Sequence, residues 1–150
     1  MRTIRVAFYK ESDNIKDKIR KLFGKYSRVE IIVNSKIYSI TPKNGVQIVS
    51  KTYDKTKWDF VDIEVNNTFI INKVQKFLNN QIGKKFDYFG ATFGQLFGLG
   101  WQDSNKWYDV ELITKFLQYC LIDEFMELNP SKMSINKLYK ILKGIKEKTI

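Results

Sequence analysis

Apolar residues in this chain recur at every second position as far as Val65, with one helical stretch between the first two strands. Beyond Asn66-Asn67 they recur at helical spacing. Side chains alternate across a strand and return to one face of a helix every 3.6 residues, so this change of period segregates strands from helices. Such segregation predicts an α+β domain, a small antiparallel sheet packed against several helices. At 150 residues and 43% hydrophobic content one compact domain is expected, with no linker or repeat dividing it.

The elements follow from local patterns. Arg2 to Tyr9 alternates as a strand. Ser12 or Asp13 caps a helix whose apolar face is Ile15, Ile19, Leu22 and Phe23, and Gly24 ends it. Val29 to Val33 is a β-branched run. Lys36 to Thr41 and Val46 to Lys51 flank Pro42-Lys43-Asn44-Gly45, where Asn-Gly predicts the tight turn of a hairpin. Trp58 to Val65 sets Trp58, Phe60 and Asp62 on one face against Val61, Ile63 and Val65 on the other. A second helix runs through Ile70, Val74, Phe77, Leu78 and Ile82 to Gly83. A third opens at Asp109 with Val110, Ile113, Phe116, Leu117, Cys120 and Leu121 on one face. Asn129-Pro130-Ser131 breaks the chain, and Ser134 caps a last helix that turns Ile135, Leu138, Ile141, Leu142 and Ile145 inward and Lys137, Lys140 and Lys143 to water. Between the second and third helices, Gly90, Gly94 and Gly98 recur every four residues among Phe89, Phe93, Leu96 and Phe97, a strip suited to close helix packing inside the domain.

Absences narrow the chemistry. The chain has no His, which excludes a Ser-His-Asp triad, a Cys-His dyad and a His-ligated zinc site. A single cysteine, Cys120, leaves neither an intramolecular disulfide nor a cysteine metal cluster, and its place on an apolar helix face reads as a small buried hydrophobe. No cofactor is expected. No signal peptide or membrane-length apolar run is found, so a soluble chain starting near Met1 is expected. The net charge of +10 comes from 22 Lys and only 4 Arg, scattered along the chain. Bidentate readout of phosphates and guanine favours Arg, so nucleic-acid binding is expected to be weak and nonspecific at most. Abundant Lys, Asn and Ile point to an A+T-rich genome, such as that of a phage, a poxvirus or a low-GC bacterium.

Four stretches carry a resemblance: Tyr26-Ser27-Arg28-Val29-Glu30-Ile31, Lys85-Phe86-Asp87-Tyr88-Phe89-Gly90, Trp107-Tyr108-Asp109-Val110-Glu111-Leu112-Ile113, and Pro130-Ser131-Lys132-Met133-Ser134-Ile135-Asn136-Lys137-Leu138. In this order they resemble the circularly permuted branch of the NlpC/P60, papain-like superfamily. Its members often read Ser-His-Val-Glu on the early strand, Tyr-Asp-x-x-Gly before a helix, Trp-Phe-Cys-Ser-Glu-Leu at a helix start and Ser-Pro-x-x-Leu near the end. The resemblance implies a permuted NlpC/P60-like fold over residues 20 to 140. It places the family's catalytic Cys on Asp109 and its His on Arg28. The family's chemistry needs a thiolate at a helix N-terminus paired with a His, and an Arg is effectively never a base near neutral pH. Ser39 and Thr41 are both candidates for the family's third polar position.

The resemblance therefore implies a pseudoenzyme in which Arg28 and Asp109 are vestigial positions that face each other as an ion pair. It implies a non-catalytic binding or structural protein, phage-encoded and virion-associated or acting in the host cytoplasm, with protein partners such as a virion assembly. Glu30, Trp107, Tyr108 and Glu111 are candidates for a ligand groove. Two alternatives stand beside this reading. One is a hydrolase of cell-wall or acyl substrates using Asp109 with Glu30 or Glu111 as paired carboxylates. The other is a nonspecific nucleic-acid binder using scattered Lys with Trp58, Trp101 or Trp107 as stacking platforms.

Overall fold

The computed structural model describes residues 2–13, 15–22, 24–65, 68–87 and 106–148. The glycine strip around Gly90, Gly94 and Gly98, together with Phe23, the Asn66-Asn67 junction and Trp101, lies outside these residues.

Five strands, β1 (Arg2–Tyr9), β2 (Arg28–Val33), β3 (Lys36–Thr41), β4 (Gly45–Val49) and β5 (Trp58–Val65), form an antiparallel sheet in the order β4-β3-β2-β1-β5. The helices are α1 (Ile15–Lys21), α2 (Thr68–Gln81), α3 (Asp109–Tyr119), the single turn α4 (Asp123–Met126) and α5 (Ile135–Lys148), with a 3₁₀ turn at Pro130–Lys132. The architecture is α+β, as the change of period requires. Two tight turns build the meander. Val33 pairs with Lys36 across Asn34 and Ser35, both at positive φ, the backbone that a two-residue hairpin demands. Gly45 opens β4 at φ 65°, and a Cβ there would lie 2.1 Å from the Lys84 carbonyl oxygen, so only glycine fits. That close approach lets Val46 N–H donate to Lys84 O and Gly83 N–H donate to Val46 O, tying the end of α2 to the sheet edge.

One face of the sheet builds the main core. Ile4, Val6 and Phe8 of β1, Val29, Ile31 and Val33 of β2, Tyr38 and Ile40 of β3 and Val61, Ile63 and Val65 of β5 pack against α2, α3 and α5. From α3 come Val110, Leu112, Ile113, Phe116 and Leu117, all buried, and Cys120 lies just past its end; α5 contributes Ile135, Leu138 and Leu142. Removing a large side chain such as Phe116 from this core would cost about 3–5 kcal/mol. The opposite face carries a smaller cluster of Ala7, Tyr9 and Trp58, against which Ile32, Tyr53 and Phe60 pack. The β4–β5 connection crosses this face, and its Lys51 and Tyr53 both bond Glu30.

The Ser134 cap forms where the sequence predicts it, while at α1 Asp17 accepts from Asp13 N–H. Ser134 Oγ accepts from Lys137 N–H, and Asn129 Oδ1 accepts from Ser131 N–H beside Pro130. In α2 the expected face largely holds: Val74 and Leu78 are buried and Ile70 and Phe77 pack against the core, joined by Ile71 and Gln81, while Ile82 is exposed. One expectation fails on rotation. In α1 the apolar stripe faces out, with Ile15 75% and Leu22 80% exposed, and Asp17 is buried instead. Leu121 also turns outward, because its positive φ (58°) ends α3 before that residue. The two-residue parallel pairing of β6 (Lys85–Phe86) with β7 (Lys106–Trp107), which leads into α3, and the short α4 carry no sequence signal long enough to predict them.

Candidate functional site

Asp109 is the first residue of α3 and is fully buried. Trp107 and Tyr108 hold it there. The Trp107 indole N–H donates to Gln81 Oε1 at 3.0 Å, and the Tyr108 hydroxyl reaches the carbonyls of Pro130 (3.0 Å) and Met133 (3.2 Å). The helix start is thus pinned to α2 on one side and to the 3₁₀ turn on the other. β2 runs directly beside it, since Val29 N–H donates to Asp109 Oδ2 at 3.0 Å. The helix N-terminus and the early strand therefore meet.

The expected pair does not form. Asp109 is bound by Arg20 of α1, with Nη2–Oδ1 at 2.6 Å and Nη1–Oδ2 at 3.0 Å, a bidentate fork that leaves the Arg20 side chain 9% exposed. Val29 N–H and Val110 N–H complete a set of four donors on the carboxylate. Arg28 turns the other way. Its guanidinium pairs with Asp13, lies 3.4 Å from Asp17 and sits 4.4 Å above the Tyr9 ring, its cross-strand neighbour. Strand alternation is the reason: Val29 faces the helices, so Arg28 must project from the opposite face. Between the Arg28 and Asp109 side chains stands α1, whose Asp17 and Arg20, three residues apart, share one helix face. The order is Arg28, Asp17, Arg20, Asp109, alternating in sign. Burial pushes the Asp17 carboxyl above its usual range, against the pull of the Asp13 backbone N–H and the two flanking guanidiniums. This network explains why α1 is rotated. Two ion pairs outweigh the burial of Ile15 and Leu22 on a helix of only seven residues.

The candidate groove divides as well. Glu30 lies on the far face of the sheet, its carboxylate bonded to Lys51 Nζ at 2.8 Å and Tyr53 Oη at 2.7 Å, and is separated from Asp109 and Glu111 by the sheet itself. Ser39 and Thr41 alternate with the core residues Tyr38 and Ile40 and so also project away from Asp109. Trp107 and Tyr108 are buried, as is Trp58, which removes both described tryptophans as stacking platforms. Cys120 is buried, and burial pushes its thiol up to about 12, the behaviour of a core residue.

Glu111 is the unusual group. It occupies the third position of α3, from which a Glu commonly reaches back to the N-cap N–H. Here it is 1% exposed, and its carboxyl oxygens have no side-chain hydrogen-bond partner among the described residues; the Tyr108 backbone N–H is the donor near them. Burial first, and then the negative charge of buried Asp87, push its pKa up to about 8; Tyr108 N–H and Lys115 act in the opposite direction. The Thr114 hydroxyl, three residues on, is also buried, with no hydrogen-bond partner among the described residues. Burial and the charge of Asp87 together favour the neutral acid form of Glu111.

Arg20 and Asp17 are the site residues that sequence reasoning missed. Their spacing on one face of α1 was the available signal, masked by the stronger apolar stripe. Among the described residues no three His, Cys, Asp or Glu side chains group as metal ligands, and no helix is long and apolar enough to cross a membrane. Comparison with protein-family models, with curated proteins and with solved structures finds no match for the chain.

Proposed function

We propose that this chain is a non-catalytic binding or structural protein with a permuted NlpC/P60-like architecture, in which the helix start that serves catalysis in that family has become a structural joint. The observation that carries the reading is the state of Asp109. A carboxylate that is fully buried and accepts four hydrogen bonds, two from one guanidinium, has no lone pair directed at a substrate. The strand beside the helix N-terminus, joined through Val29, supports the family reading of the layout. The departure of Arg28 from Asp109 weighs against the family's dyad falling on these two positions, so the family reading rests on the order of the motifs and on the contact through Val29.

The same geometry weighs against a carboxylate hydrolase. Glu30 is on the other face of the sheet, and Glu111 is sealed from solvent. Within this proposal the chain is phage-encoded and works through protein contacts in a virion assembly. Purified protein incubated with peptidoglycan, acyl esters and thioesters should show no turnover above background. Turnover that survives Cys120→Ser but is lost in Glu111→Gln or Asp109→Asn would refute the proposal. Mass spectrometry of particles purified from the natural source tests the virion role.

A further inference from the structure

The positive charge is not spread evenly over the molecule. Residues 65–86 contain four lysines and no acid, and residues 128–146 contain five lysines (Lys132, Lys137, Lys140, Lys143 and Lys146) and no acid; together these account for nine of the ten net charges. Elsewhere the 17 cations are nearly matched in number by 16 acids, and several of them pair directly. Arg5 pairs with Asp62, Lys10 and Lys25 with Asp59, Arg28 with Asp13 and Asp17, and Lys51 with Glu30. Composition alone would distribute lysines among acids on every surface.

On α5 the lysines form a surface. Lys137, Lys140, Lys143 and Lys146 are all exposed, at a spacing of three residues, while Leu138 and Leu142 between them are buried. At about 100° and 1.5 Å per residue, Lys137, Lys140 and Lys143 span roughly 120° of the helix surface and about 9 Å of its length, while Lys146 lies about 180° round from Lys137, toward Asp62 of β5. Lys132 is exposed just before the helix. Lys137 and Lys140 have no ion-pair partner among the described side chains, Lys143 stands one turn before Glu147, and Lys146 acts on Asp62, already forked by Arg5. From Lys132 to Lys148 the sequence still sets six lysines against the single acid Glu147, more positive charge than a solvated face needs. Like charges three apart repel, and Lys137 sits in the first turn, where the helix dipole disfavours a cation. The folded domain thus gains nothing from this pattern.

We infer that the exposed face of α5 is a contact surface for the phosphate backbone of duplex nucleic acid, independent of sequence. The stripe carries no arginine to read a base edge, and its one aromatic, Tyr139, is half-buried against Phe8 and Tyr26. The large exposed hydrophobic side chains lie on other elements, and α5 spends its apolar face on the core. A membrane surface, which a helix grips through inserted apolar residues, is therefore the poorer fit. A duplex offers one negative charge per roughly 1.7 Å, dense enough for every lysine of the stripe to find a phosphate. This inference is independent of whether Asp109 and Arg28 are vestigial.

The test is fluorescence anisotropy of short labelled duplexes of two unrelated sequences between about 50 and 200 mM salt. Three phosphate contacts, from Lys137, Lys140 and Lys143, predict a slope of log K against log salt of about −2.7, a loss of affinity of roughly 40-fold over that range, equal for both sequences. The triple variant Lys137→Gln/Lys140→Gln/Lys143→Gln should flatten the slope by about 2.7, one increment of roughly 0.9 for each contact removed. The control Lys73→Gln/Lys76→Gln/Lys85→Gln removes the same charge from other exposed positions and should leave the slope unchanged; all six side chains are exposed, and matching circular dichroism verifies folding. Equal loss in both triples, or no binding at the lowest salt, would overturn the inference. So would loss of binding to phosphatidylserine vesicles in the α5 triple with duplex binding intact.

Discussion

Replacing Arg20 by Met leaves the Asp109 carboxylate buried with two of its four donors gone. Removing one partner of a buried ion pair costs about 3–5 kcal/mol, because the remaining charge is left uncompensated in a medium that solvates it poorly. For a domain of this size each 1 kcal/mol lowers the melting temperature by about 2–4 °C, so a fall on the order of 10 °C is expected. Asp109→Asn should cost a similar amount by stranding Arg20. The double variant should be less destabilised than the two single effects added, giving a coupling energy of about 2 kcal/mol or more, within the range for directly bonded pairs. Urea unfolding of the four proteins provides the cycle. The same cycle with Arg28→Met in place of Arg20→Met should give a small coupling, since Arg28 reaches Asp13, Asp17 and Tyr9 instead. A coupling below about 0.5 kcal/mol for Arg20 with Asp109, the level at which independent sites add, would refute the network. A larger coupling for Arg28 would restore the facing-pair arrangement that the motifs alone suggest.

Glu111, whose folded-state pKa of about 8 lies above its ordinary 4.5, binds a proton in the folded chain that the unfolded chain releases between those values. Its contribution is therefore fully present below about pH 4.5 and lost as pH rises through 8, by at most about 5 kcal/mol at 1.36 kcal/mol per unit. Glu111→Gln should flatten that decline and be the more stable protein at pH 8.5; urea titrations of both proteins across this range that run parallel would contradict it. Cys120, buried and with its thiol pushed up to about 12, should react with an alkylating reagent at pH 7.5 only at the rate of unfolding, and rapid modification of the folded protein would place it at the surface. Adding Arg28→His to Asp109→Cys should not accelerate alkylation of the new thiol, because the side chain at position 28 points away from it; a clear acceleration would mean that the two positions do face each other.

The strands, the helices and their order were legible in the sequence because they depend on local period. Alternation defined β1 to β5 almost to the residue, Asn44-Gly45 marked the hairpin, and Ser134 and Pro130 marked where the last helix begins. The buried face of α3, from Val110 to Cys120, was equally legible, since an amphipathic stripe has one plausible destination in a one-core domain. The start of α3 at Asp109 and its proximity to β2 were reached through motif order, which carries topology that local propensity does not.

Sequence by itself also settled the absence of histidine chemistry, because an absent residue type is absent in every fold. Tertiary structure alone decided which charges pair. Arg28, Arg20, Asp13, Asp17 and Asp109 permit several pairings on paper, and the choice turned on the face of β2 from which residue 28 projects and on the rotation of α1. The apolar stripe of α1 misled for the same reason: on a short helix, two ion pairs to buried or half-buried partners outweigh a few apolar side chains. Glu111 read from the sequence as a candidate for a ligand groove or a carboxylate pair, and only the packing around it left its carboxyl sealed from solvent. Periodicity is a property of neighbours along the chain and can be read there; charge pairing and desolvation depend on residues many positions apart, and only the folded chain brings those together.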